Sequence, residues 1–120
     1  MVKKTLVFGA SLKESRYSNL AIQRLRERNI PVVAYGLRKG MVIGVEIDTE
    51  MIAYKNIDTI TLYLNPKRQQ EYYNYIISLK PKRVIFNPGT ENLEFVNLLQ
   101  KNGIASEVAC TLVLLSINKY

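Results

Sequence analysis

The chain of 120 residues lacks the side chains on which several kinds of catalysis depend. It has no histidine and a single cysteine, Cys110. Triads of the Ser-His-Asp kind need histidine as the general base, and zinc sites need several cysteine or histidine ligands. Both chemistries are therefore excluded, and we expect neither catalytic residues nor a metal site. A lone cysteine also excludes an internal disulfide framework and is typical of a reducing cytoplasm.

Long apolar runs are missing as well. No stretch approaches the roughly 18 consecutive apolar residues that a membrane-spanning helix needs. The apolar run after Lys3 and Lys4 is too short for a secretory signal. We therefore expect a cytoplasmic protein that does not contact membranes. With 48% hydrophobic and 22% charged residues, the composition is typical of a globular protein, and the length predicts one domain over residues 1–120.

Acidic residues are the minority among the charged ones. The 17 lysines and arginines exceed the 10 aspartates and glutamates, which gives a net charge of +7 and predicts an anionic partner. The basic residues are spread along the chain, whereas nucleic-acid-binding proteins more often concentrate them on one element. The pattern argues against nucleic acid, favours a small nucleotide ligand that needs only a few cations near one cleft, and identifies no protein partner.

Strands and helices alternate along the sequence. Strands are predicted at Leu6 to Phe8 and at residues 32–35, 57–64, 83–86 and 104–108, with a short hairpin or extended excursion at 41–47. Helices are predicted to begin at caps formed by Ser18, Asn65 and Thr90. Alternation with short loops predicts an α/β fold, a single doubly wound Rossmann-like domain. Its five-stranded, mostly parallel sheet has the expected order 3-2-1-4-5, with helices on both faces.

In that order, the loops after the first and fourth strands border a crevice at the carboxyl edge of the sheet. These loops are residues 9–17 and 87–90. Gly9 can adopt a positive φ, and the free N–H groups of the helix that follows attract an anion. The dinucleotide fingerprint needs three spaced glycines, whereas Gly9 is followed here by Ala10 and Ser11. An ordinary strand-to-helix turn therefore stays open as an alternative to a phosphate site.

Taken together, these features resemble the family of stand-alone CoA-binding domains. These are small Rossmann-like proteins, similar to the nucleotide-binding domain of the succinyl-CoA synthetase α-subunit. The resemblance covers nearly the whole chain and is carried by short motifs whose order and spacing are more specific than any one of them. In chain order they are Gly9-Ala10-Ser11 with Arg16 and Ser18, Asp58 before the third strand, Asn87-Pro88-Gly89 with Asn92, and Glu107 to Cys110 before an apolar tail.

The resemblance implies non-catalytic binding of CoA or acyl-CoA. The loop at 9–18 would cradle the pyrophosphate, with Arg16 neutralising charge, and the thiol end of the ligand would lie toward residues 87–92. Arg38 and Lys39 follow the second strand and are either contacts to the 3′-phosphate or ordinary loop charges. The candidate ligand-binding residues are Gly9, Ala10, Ser11, Lys13, Arg16, Ser18, Arg38, Asn87 and Gly89.

Besides nucleic-acid binding, against which the spread of the basic residues argues, two other functions stay open at this point. An NAD(P)-binding redox enzyme or sensor is disfavoured by the missing glycines and by Tyr35, which ends the second strand where an acidic residue would bind the ribose. Arg38 would nevertheless suit a 2′-phosphate. A structural role with a vestigial cleft is the other alternative, because the family usually has Val-Asn-Pro where this chain has Ala34-Tyr35-Gly36, and glutamine or histidine in place of Asn87.

Overall fold

A computed structural model describes residues 3–120 of the chain. It contains one seven-stranded sheet of order β3-β4-β2-β1-β5-β6-β7, flanked by helices. The strands are β1 (Thr5–Ala10), β2 (Val32–Gly36), β3 (Gly40–Val42), β4 (Val45–Asp48), β5 (Thr59–Leu62), β6 (Arg83–Phe86) and β7 (Ala105–Val108). The helices are α1 (Tyr17–Glu27), α2 (Pro66–Gln69), α3 (Tyr73–Ser78), α4 (Leu93–Lys101) and α5 (Thr111–Ser116), with a 3₁₀ turn at Gln70–Tyr72 between α2 and α3.

The predicted α/β class, the mostly parallel sheet and the helices on both faces are confirmed. All neighbouring strands are parallel except β3, which pairs antiparallel with β4 as a hairpin. None of the helices in residues 3–120 combines the length and apolar character needed to cross a bilayer.

The predicted number and order of strands are wrong. The sheet has seven strands because the segment expected as an excursion forms β3 and β4. β4 pairs parallel with β2, with Ala34 opposite Ile47, and so occupies the position that the prediction gave to the strand at 57–64. That strand, β5, pairs instead with the other side of β1. β4 holds its place because Val45 and Ile47 are buried on the side of α1.

Each face of the sheet has its own apolar core, since side chains of a strand alternate between the two faces. Leu6 and Phe8 of β1 pack with residues of α3 and α4. Val7, between them, packs with Ile22 and Leu25 of α1 on the opposite face. β1 is therefore buried on both sides at the centre of the sheet.

The sequence predicted one helix start correctly and two wrongly. The side chain of Asn65 accepts a hydrogen bond from the backbone N–H of Arg68, with Pro66 at the first helical position, as predicted. Ser18 does not cap α1, which begins one residue earlier, after Arg16. Thr90 does not cap α4, because Asn92 accepts from the N–H of Phe95 instead.

Candidate functional site

A cleft of about 860 Å³ lies above the carboxyl ends of β1, β2 and β5. β1 is the strand at which the connections change direction, since β2 lies on one side of it and β5 on the other. The loops after β1, β2 and β5 form most of the cleft, and only Pro88 and Thr90 of the loop after β6 reach it. The loop at 87–90 therefore borders the cleft, as predicted, but only through these two residues, and the segment after β5 contributes more of the lining. The cleft volume of about 860 Å³ is within the range of small-molecule binding sites.

The carboxyl end of β1 bends at Gly9, whose φ is +96°. A Cβ at this position would lie 3.1 Å from the carbonyl carbon of Tyr63 and 3.2 Å from the side chain of Leu64. Both the positive φ and the close approach of the chain after β5 therefore favour glycine. This bend brings the backbone of β1 directly to the floor of the cleft.

The loop between β1 and α1 is held by its own hydrogen bonds. The Ser11 hydroxyl accepts from the backbone N–H of Lys13 at 3.1 Å, and the Ser11 carbonyl accepts from the Asn19 side-chain amide at 2.9 Å. The N–H of Arg16 donates to the Lys13 carbonyl at 3.0 Å. This leaves the Ser11 hydroxyl proton free to donate to a ligand.

The N-terminus of α1 opens onto the cleft without a capping side chain. The side chain of the N-cap residue Arg16 makes no hydrogen bond to the N–H groups of the first helical turn, and that turn contains no acidic residue. Within residues 3–120, the backbone N–H groups of Tyr17 and Ser18 have no acceptor. This 11-residue helix therefore presents free N–H donors and the positive end of its dipole to the cleft, an arrangement that binds anions.

Four cationic side chains and one carboxylate line the cleft. The cations are Lys13, Arg16, Arg38 and Arg68, and the carboxylate is Glu71. In the described part of the chain, none of the four cations forms an ion pair. Lys39, next to Arg38, pairs with Glu46 at 3.6 Å and does not line the cleft. The charged side chains that line the cleft therefore carry a net positive charge.

An aromatic cluster forms the part of the cleft at the end of β2. Tyr35 stacks on Phe8 with ring centroids 4.8 Å apart, and its hydroxyl donates to that of Tyr72 at 3.3 Å. Burial, together with this hydrogen bond, raises the pKa of Tyr35 well above its usual value, so the hydroxyl stays neutral. The position that carries a carboxylate in NAD-binding folds thus holds an uncharged phenol engaged within the protein.

Gly36, which follows Tyr35 in the cleft lining, has no room for a side chain. A Cβ there would lie 2.4 Å from the Ala10 carbonyl oxygen. The close approach coincides with the register shift between Phe8 and Ala10 in the β1–β2 pair. Backbone rather than side chain therefore forms the cleft wall at this point.

Seven of the nine predicted ligand-binding residues line the cleft, namely Gly9, Ala10, Ser11, Lys13, Arg16, Ser18 and Arg38. Asn87 and Gly89 do not. Asn87 is buried, and its side-chain amide donates to the Thr61 hydroxyl at 2.7 Å and to the Leu62 carbonyl at 2.8 Å. Gly89 adopts the predicted positive φ, +91°, in an exposed turn. The ligand-binding roles of all nine residues stay predictions.

Arg68 and Glu71 are the charged cleft residues that sequence reasoning missed. They lie in α2 and in the 3₁₀ turn that follows it, directly after β5. From the sequence, β5 was expected beside β2 and the loop at Pro66 was expected to face the ligand, but no ligand-binding role was assigned to the charged residues that follow. The alternation of Val45 and Ile47 after Gly44 was the available signal that an earlier strand takes that place.

Comparison with known proteins identifies a family. The model of a family described as CoA binding domain matches residues 3–116. No curated protein matches the chain.

Solved structures share the fold over nearly the full length. A crystal structure of an uncharacterized protein is 48% identical, with a TM-score of 0.97 and coverage of 100% of this chain and 99% of that one. The cell-free ID.343 protein from Thermus thermophilus is 21% identical, with a TM-score of 0.86 and coverage of 99% and 91%. A conserved hypothetical protein from Pyrococcus furiosus is 23% identical, with a TM-score of 0.76 and coverage of 89% and 92%.

Proposed function

The chain belongs to the CoA-binding domain family, and from that premise we propose that it binds CoA or acyl-CoA, without catalysis, in the cleft above β1. The observation that carries the proposal is the meeting of an uncapped α1 N-terminus with four unpaired cations in one cleft. A ligand with several phosphate groups matches this charge, and free backbone N–H groups provide hydrogen bonds that strengthen on an anion.

In this proposal the diphosphate lies at the turn after β1. Gly9 lets the backbone approach the phosphates, Ser11 and the N–H groups of Tyr17 and Ser18 donate to them, and Arg16 neutralises their charge. Arg16 is the N-cap residue of α1, so its side chain starts next to the free N–H groups of Tyr17 and Ser18.

The experiment is calorimetric titration of the purified chain with CoA, acetyl-CoA, NAD⁺ and NADP⁺ in parallel. Arg16→Ala is compared with Arg24→Ala, which removes the same charge from the same helix but from a side chain that pairs with Glu27. We expect CoA to bind, Arg16→Ala to weaken binding about tenfold or more, as for loss of a charge-assisted hydrogen bond, and Arg24→Ala to leave binding unchanged.

Other results would contradict the proposal. If Arg16→Ala and Arg24→Ala weaken CoA binding equally, Arg16 contributes only to the general attraction of an anion and makes no specific contact. Preference for NAD⁺ or NADP⁺ would assign the cleft to the redox alternative. Absence of binding by all four ligands would favour a structural role with a vestigial cleft.

A further inference from the structure

Arg68 lines the cleft from a wall that α1 does not form. α2, which carries it, continues into the 3₁₀ turn whose Tyr72 packs in the core on one face of the sheet. Ile22 and Leu25 of α1 pack in the core on the other face. A ligand in the cleft therefore lies between the N-terminus of α1 on one side and Arg68 on the other.

The backbone of Arg68 is fixed on both sides. Its N–H donates to the Asn65 side chain at 2.9 Å. Gln69 is fully buried, and its side-chain amide donates to the carbonyls of Leu64 and Thr90, each at 2.8 Å, and accepts from Asn92 at 2.9 Å. This network ties α2 to the loops after β5 and β6, so the guanidinium of Arg68 starts from a defined position beside the cleft.

The guanidinium of Arg68 has no carboxylate partner among residues 3–120. Glu71 lies three residues later on the same wall, yet the two side chains do not form an ion pair. Lys67, the preceding cation, does not line the cleft. Of the two adjacent cations Lys67 and Arg68 in α2, only Arg68 therefore lies where it can contact a ligand in the cleft.

We infer that Arg68 is a further ligand-binding residue, which holds the diphosphate from the wall facing α1, while Arg38 contacts a separate phosphomonoester. The inference rests on the proposed function. Arg38 follows β2 and Arg68 lies in α2, which follows β5. These two strands lie on opposite sides of β1 and are thus about 10 Å apart at the sheet. This separation favours two phosphate positions over one. Lys39 is not used because it pairs with Glu46.

The test compares CoA with dephospho-CoA, which keeps the diphosphate and lacks the phosphomonoester. Both ligands are titrated into the wild-type chain and into Arg68→Ala, Lys67→Ala and Arg38→Ala. Arg68→Ala should weaken both ligands about tenfold or more, and Lys67→Ala less than about twofold. Arg38→Ala should weaken CoA and leave dephospho-CoA unchanged. Arg68→Lys, which keeps the charge without the bidentate geometry, should restore part of the affinity at an unchanged melting temperature.

Equal effects of Arg68→Ala and Lys67→Ala would overturn the inference, because they would reflect net charge alone. Weakening of CoA but not of dephospho-CoA by Arg68→Ala would overturn it as well, since Arg68 would then contact the phosphomonoester. If the wild-type chain does not bind CoA, the proposed function itself is contradicted. If the wild-type chain binds CoA and Arg68→Ala binds it equally well, only the inference about Arg68 is overturned.

Discussion

Replacement of Asn87 by alanine should destabilise the protein strongly and leave ligand affinity nearly unchanged. The Asn87 side chain joins three elements. Its amide donates to Thr61 and Leu62 of β5, and its oxygen accepts from the backbone N–H of Thr111 at the start of α5, at 2.8 Å. The residue itself follows β6 and is 2% exposed. Alanine removes all three hydrogen bonds at a buried position.

The expected loss follows from that geometry. Three hydrogen bonds at a net value of about 1 kcal/mol each, with two buried backbone groups left without this partner, give about 3–5 kcal/mol. That is a large fraction of the roughly 5–15 kcal/mol by which domains of this kind are stable. The matched control is Asn102→Ala, whose amide donates to the Leu98 carbonyl at the surface and should cost less than about 1 kcal/mol.

The assay is urea unfolding of both variants, with CoA titration on the folded proteins. A loss for Asn87→Ala no larger than that for Asn102→Ala would refute the reasoning. So would a stable Asn87→Ala protein that no longer binds CoA, since Asn87 would then be a ligand-binding residue as the sequence suggested.

Three further predictions concern the backbone and the buried phenols. Gly36→Ala should lower the free energy of unfolding by more than about 2 kcal/mol, because the new Cβ would lie 2.4 Å from the Ala10 backbone oxygen. In the control Gly40→Ala the Cβ would meet only the rotatable Leu12 side chain, at 2.6 Å, and the loss should be less than about 1 kcal/mol. Equal unfolding midpoints for the two variants would contradict this prediction. Ile43 is a β-branched residue with φ +46° in the β3–β4 turn, a conformation that asparagine adopts more easily. Ile43→Asn should therefore raise the free energy of unfolding in urea by about 1 kcal/mol. A lower free energy of unfolding for the variant would show that the turn tolerates isoleucine without strain. The Tyr63 hydroxyl is buried without a hydrogen-bond partner among residues 3–120, so Tyr63→Phe should leave stability at pH 7 unchanged or higher. Burial raises the pKa of Tyr63 to about 12, against the lowering effect of the nearby Thr61 and Thr111 hydroxyls. Below about pH 10 this phenol is neutral in both the folded and the unfolded chain. As the pH rises from 10 toward 12 the unfolded chain ionises first and is stabilised, so the wild-type protein should lose more stability than Tyr63→Phe over that interval. Identical alkaline unfolding curves for the two proteins would contradict the prediction.

Local features of the fold were predictable from the sequence because each depends on a few neighbouring residues. Asn65 and Pro66 begin α2 through a cap and a fixed φ, and Gly89 has the positive φ that its turn needs. The buried run at Leu6 to Phe8 predicted the central strand. The glycine turn followed by a helix start predicted where the cleft lies, and six candidate residues of that segment line it.

The strand order was not predictable in the same way, because it depends on contacts between distant segments. β4 is short, and only its pairing with β2 shows that it belongs to the sheet. The predicted order placed β5 beside β2, and Arg68 was not among the predicted site residues. Asn87 shows the same limit, since the sequence does not reveal that α5 returns to place the Thr111 N–H against its side-chain oxygen.

The four unpaired cations of the cleft have an energetic consequence for the ligand-free protein. Like charges around one cavity repel each other, and dissolved salt screens that repulsion. Added salt should therefore raise the melting temperature of the ligand-free chain and lower its affinity for a polyanionic ligand. A bound polyanion would relieve the same repulsion more completely than salt does. If the cleft binds a polyanion as proposed, the ligand balances the charge of the cleft lining, and the protein should be more stable when occupied than when empty.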